Sequence, residues 1–168
     1  QAYMKANILD PLGLSNTRTY YPEEMRGDEL AIGYVGIGRS GIREPTKAFF
    51  AGGMTPAVGF TSSVVDMAKF ASWQFRLLED GGREVLNANT LREMHRIHWA
   101  EDDFKLMYGL GFWISRDEDM TIVGHGGGCP GYVTSFRMST KDKSATIAMT
   151  NASDGPAQPV ASSALGTI

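Results

Sequence analysis

From residue 108 onward the sequence alternates with a period of two, and the links between the alternating runs are short. Four runs read as strands: YGLGFWI (108–114), MTIVGH (120–125), GYVTSFRM (131–138) and SATIAMTN (144–151). Five residues follow Ile114, a glycine-rich run follows His125, and STKDK follows Met138. A parallel crossover needs a dozen residues or more, so strands joined this tightly must be antiparallel neighbours. The second half of the chain is thereby restricted to an antiparallel meander. Residues 156–166, with Pro159 in the first turns, begin a closing helix.

The first half has a different texture. Residues 1–9 predict a helix that stops at Pro11, because proline cannot continue the hydrogen-bond ladder and disfavours the α region for the residue before it. AIGYVGIG at 31–38 is an extended piece whose glycines make it a poor central strand. Residues 36–60 predict a loop. Residues 62–80, SSVVDMAKFASWQFRLLED, form the clearest helix, with Ser63 and Asp66 as a capping pair and Gly81 and Gly82 at its end. Val64, Met67, Ala68, Ala71, Phe75 and Leu78 follow its 3.6 period, while Phe70, Trp73 and Leu77 fill the opposite side. Such a helix is buried on more than one face. A second helix is expected over 90–98, capped by Thr90 and Glu93. The fold class is therefore α+β: an antiparallel sheet of four or five strands flanked by helices. Residues 1–100 form the helical and loop part, and residues 101–168 the sheet with the start of the closing helix.

Composition removes several function classes. Sixteen basic against nineteen acidic residues leave a net charge of −3, which gives no nucleic-acid footprint. EDD at 101–103 and KDK at 141–143 read as solvated turns. No apolar run is long enough to span a membrane. Cys129 is the single cysteine, so an internal disulfide is excluded. His95 and His98 could share a helix face, but three histidines and one cysteine support no metal centre, and no cofactor motif is present. The first residues, QAYMKANILDPLGL, lack a signal-peptide pattern and read as the last turns of a helix begun earlier. A C-terminal fragment of a longer domain is the expectation.

GHGGGCPGY (124–132) admits three readings. One is a flexible hairpin loop. Another is a phosphate cradle, which such a run serves between a strand and a helix rather than between two strands. The third is an active-site edge strand, where bare main chain lets a substrate lie close and an N–H face a developing oxyanion.

GHGGGCPGY resembles the third motif of the serine β-lactamase and penicillin-binding-protein superfamily. The likeness is nearest to the branch of class C β-lactamases, esterases, D-aminopeptidases and D-alanyl-D-alanine carboxypeptidases. His125, Gly126 and Gly127 stand where that branch carries His-x-Gly and other members carry Lys-Thr-Gly. ILDPLGLSNT (8–17), AGGMTPAVGFTSSVVDMAKF (51–70), YGLGFWI (108–114) and TIAMTN (146–151) are similar to further family stretches in the same order. The resemblance implies acyl transfer through an acyl-enzyme on a small ester, amide, peptide or β-lactam substrate. It gives Gly128 an oxyanion N–H and puts His125 in the place of the motif's lysine. A neutral imidazole there favours esterase or peptidase chemistry over β-lactam hydrolysis.

The family's Ser-x-x-Lys and Tyr-x-Asn or Tyr-x-Ser motifs are not found in residues 1–168. In the family both precede the PLGM-like stretch, so the resemblance assigns them to polypeptide before residue 1. The chain by itself is then expected to be inactive and to self-associate through an exposed sheet edge as a homo-oligomer. A periplasmic or secreted location would follow family habit. The alternative is a non-catalytic binding or interaction domain that retains this half of the fold. Among other residues, Ser62 and Ser63 read as helix caps, Cys129 as too unconstrained for a Cys-His nucleophile pair, and Phe112, Trp99 and Trp113 as packing.

Overall fold

The computed structural model describes residues 1–117 and 120–166. Glu118 and Asp119, in the predicted link after Ile114, and Thr167 and Ile168, at the end of the predicted sheet-and-helix part, lie outside the described residues.

The chain starts with a helical turn at Ala2–Met4 that widens into a π segment at Lys5–Leu9, and Asp10–Gly13 forms the turn around Pro11. Helix α1 (Val64–Asp80) begins at Ser63, whose Oγ accepts from the Asp66 N–H at 3.2 Å, and ends at Gly81 with φ 74°. Both signals are the predicted ones. Helix α2 differs from its prediction. It spans Ala88–Met94 and is capped by the Asn87 side chain, which accepts from the Asn89 N–H; Thr90 and Glu93 lie inside it. His98 instead hydrogen-bonds into the sheet, its N–H donating to Tyr108 O at 2.8 Å.

Among the described residues, six strands form one antiparallel meander: β1 (Trp99–Ala100), β2 (Leu106–Tyr108), β3 (Trp113–Asp117), β4 (Met120–Cys129), β5 (Tyr132–Ser139) and β6 (Ser144–Thr150). YGLGFWI is not one strand. Its glycines bend it into a hairpin that pairs Tyr108 with Trp113, closed by Gly109 N–H on Phe112 O, with Gly111 at φ 79°. Gly109 also passes so near α2 that a Cβ would sit 2.2 Å from Met94 O. The closing helix α3 spans Ala157–Leu165. Residues 31–38 form no strand; Tyr34 makes isolated bridges to Pro45 and Ala152.

Alternation along the strands sorts the sheet into two faces. Met107, Ile114, Val123, Phe136 and Met138 meet Ala71 of α1 on one face. Trp73 and Leu77, elsewhere on α1, pack with Leu9, Leu12, Leu14, Ala88 and Leu91. Phe70 touches both clusters, so α1 is buried on two sides as its sequence requires. Asp66, fully buried, ties the segment after Pro11 to α1: its Oδ2 accepts from Asn16 N–H at 2.8 Å and Thr17 Oγ1 at 2.9 Å. On the opposite sheet face Ala148 packs against Ala157 and Ala161 of α3.

Candidate active site

The glycine run is strand, not hairpin loop. β4 continues through it, and His125, Gly126, Gly127, Gly128 and Cys129 face Phe136, Ser135, Thr134, Val133 and Tyr132 across the ladder. The turn falls at Pro130–Gly131, with Gly131 at φ 89°. That turn is held firmly. Gly131 N–H donates to Ser153 Oγ at 2.9 Å, and Tyr132 OH donates to Ala31 O at 2.6 Å.

On its other side β4 is paired only in part. The β3 register runs from Asp117↔Met120 to Trp113↔Gly124 and stops. Residues 125–129 are thus bound to β5 on one side and free of any strand on the other, among the described residues. An antiparallel strand directs alternate pairs of N–H and C=O groups to each side. Here a five-residue stretch of main chain offers such groups to an incoming ligand, with His125, Gly127 and Gly128 exposed. A cleft of about 480 Å³ lined by Gln1, Lys5, Asp10 and Arg18, among others, shares no residue with this edge.

Why four glycines in one strand? Backbone freedom is not the reason, since Gly124, Gly126, Gly127 and Gly128 all keep negative or extended φ. Space accounts for Gly124 and Gly127, while at Gly126 only the movable end of Gln158 comes close. A Cβ on Gly124 would lie 2.2 Å from Phe136 O and 3.0 Å from the Trp113 ring, one on Gly127 2.8 Å from Thr134 Oγ1, and one on Gly126 3.1 Å from Gln158 Nε2. Gly128 is the exception: nothing lies within 4 Å of its missing side chain. Its bareness serves no internal packing.

His125 pairs with Phe136, so its side chain lies on the α1 face of the sheet. Its Nδ1 is 2.5 Å from Gly126 O. A carbonyl can only accept, so Nδ1 donates this bond, and in the matching neutral tautomer Nε2 is the acceptor. That arrangement can take a proton from a nearby hydroxyl. The remaining candidates serve elsewhere. Ser62 Oγ bonds Thr17 Oγ1 at 2.9 Å, and Ser63 caps α1. His95 Nε2 meets Gln74 Oε1 at 3.0 Å, and burial lowers its pKa to about 4; His98 Nε2 meets Glu93 O. Phe112 is buried in the core, Trp113 lies under the Arg137 guanidinium at 4.9 Å, and Trp99 is exposed. Burial raises the Cys129 pKa, which disfavours the thiolate, and four residue steps along the strand set it about 13 Å from His125.

Two neighbours of the edge carry no sequence signal. Thr134 becomes a site residue only through the β4–β5 register, and Gln158 only because α3 returns over Gly126. The PAQP start of α3 marks a helix but not what it covers.

Comparison with known proteins bears on this geometry. The sequence profile of the Beta-lactamase family matches residues 1–165. No curated protein matches the chain. Among solved structures, the octameric penicillin-binding protein homologue from Pyrococcus abyssi is similar at 22% identity and a TM-score of 0.80, over 99% of this chain and 36% of that one. The penicillin binding protein from Bacillus halodurans is similar at 19% identity and 0.77, over 100% and 49%. The D-amino acid amidase from Ochrobactrum anthropi SV3, complexed with L-phenylalanine amide, is similar at 22% identity and 0.72, over 90% and 43%. At these identities the likeness is one of fold, and the chain spans between about a third and a half of each of those structures.

Proposed function

The chain belongs to the beta-lactamase family, and from that membership we propose that it is one wall of the active site of a serine hydrolase working through an acyl-enzyme. In this proposal the nucleophile and its lysine are supplied by polypeptide other than these 168 residues, in which no serine has a lysine three positions on. The observation that carries the reading is the half-paired edge of β4. A strand that loses its neighbour after Gly124, at the point where the side chains vanish, is suited to hold an extended substrate by its main chain.

In this reading the serine oxygen attacks the substrate carbonyl. The electron pair moves onto the carbonyl oxygen, where the Gly128 N–H and the nucleophile's own N–H receive it. Collapse of the intermediate expels the leaving group with a proton, and water then releases the acyl group by the same route. One oxyanion donor contributes about 3–4 kcal/mol to the transition state. His125 Nε2 accepts a hydroxyl proton or hydrogen bond from the motif facing it. With no fixed ammonium at this position, esters and peptide-like amides are the favoured substrates over β-lactams. Self-association through a sheet edge belongs to the same proposal: β6 has β5 as its only strand neighbour among the described residues.

The test is acylation of the gene product read with its upstream sequence. A fluorophosphonate should label it in a 1:1 ratio, and His125→Ala should slow labelling by about 10²-fold or more. A gene product that resists labelling, with no Ser-x-x-Lys upstream, would favour a binding domain and end the proposal.

A further inference from the structure

Thr134 stands on β5 directly opposite Gly127, on the sheet face that carries His125. Its Oγ1 occupies the space a Gly127 side chain would need, 2.8 Å from the position of that Cβ. The residue is half-buried, and among the described residues its hydroxyl has no hydrogen-bond partner. It is also well fixed. Its Cα is paired on both sides, to Gly127 and to Met149, and a β-branched side chain is stiff at χ1. A preorganised group with one donor and two acceptor positions therefore borders the barest part of the open edge.

We propose that Thr134 is a specificity-determining residue: its hydroxyl hydrogen-bonds a polar group, such as an amide, on the acyl portion of a substrate lying along residues 125–128. This rests on the acyl-transfer reading above. A plain alkyl acyl chain has nothing to offer the hydroxyl, whereas an acyl group bearing an amide near its carbonyl satisfies it. The competing role is simple filling of the space beside Gly127, and two substitutions separate them. Thr134→Val keeps the branched shape and removes the hydroxyl. Thr134→Ser keeps the hydroxyl and removes the methyl group.

The experiment measures kcat/KM of the full-length gene product for two p-nitrophenyl esters, N-acetylglycine and butyrate, and reads their ratio. Thr134→Val should lower the amide-to-alkyl ratio by about two- to tenfold, and Thr134→Ser should hold the wild-type ratio. Thr134→Ala gives the same reading as Val with less bulk. An unchanged ratio in Val and Ala, or an equal loss in Ser, would overturn the inference while acyl transfer stands. A wild-type protein that turns over neither ester and takes no fluorophosphonate would overturn both.

Discussion

Alanine placed in turn at the four glycines of β4 should give four different stabilities, graded by what each new methyl group meets. Gly124→Ala is the severe case. Its Cβ would lie 2.2 Å from Phe136 O, a backbone atom fixed in the β4–β5 ladder, and 3.0 Å from the Trp113 ring. Phe136 O cannot withdraw without breaking sheet pairing, so a loss of about 3 kcal/mol or more is expected, at the upper end for overpacking. Gly127→Ala meets only the Thr134 side chain, at 2.8 Å, but that side chain is branched and confined. A loss of about 1–2 kcal/mol follows. Gly126→Ala meets the far end of the exposed Gln158, which can swing away, so stability should stay within about 0.5 kcal/mol of wild type. Gly128→Ala meets nothing, and its φ suits any residue. Reduced freedom of the unfolded chain should then stabilise the fold by about 0.5 kcal/mol. Urea unfolding of the four variants, at equal m-value, gives the comparison. The reasoning fails if Gly124→Ala is tolerated, or if Gly128→Ala destabilises by more than about 1 kcal/mol.

Other consequences are testable in the same way. Asp66→Ala leaves the Asn16 N–H without its acceptor and the Thr17 hydroxyl with Ser62 Oγ alone, and should destabilise by about 2–3 kcal/mol. Asp66→Asn, whose amide oxygen can take both bonds, should lose clearly less in the same urea titration. His95 titrates near 4 when folded against about 6.5 unfolded, so the unfolded chain binds more protons between those values. Stability is then complete above pH 6.5 and falls by up to about 3 kcal/mol as the pH drops to 4; His95→Gln should flatten that slope in urea midpoints measured against pH.

The strand half of the fold was largely legible because period two and short links leave few topologies. β4, β5 and β6 lie close to where alternation puts them. β1 and β2 escaped because two or three residues, Trp99–Ala100 and Leu106–Tyr108, are too few to show a period. The α2 cap differs from the predicted one because Thr90 and Glu93 match the spacing of a capping pair, whereas Asn87 caps through the shorter reach to Asn89. The glycine run shows the limit of local propensity most clearly. Glycine is a weak strand former, so GGG suggests a loop, yet Pro130–Gly131 two positions on is the stronger turn signal and takes the turn. His125 and its glycines were readable as a motif. Thr134 and Gln158 were not, since only register and the return of α3 bring them to the edge.

The central claim is that residues 125–129 form one wall of a cleft whose attacking serine lies elsewhere. Fluorophosphonate labelling followed by peptide mass mapping tests it most directly, on the 168-residue chain and on the upstream-extended gene product side by side. The account predicts no adduct on the short chain, and a single adduct on the longer one at a serine outside these residues. A stoichiometric adduct on the short chain, at Ser62 or any other of its serines, would contradict it.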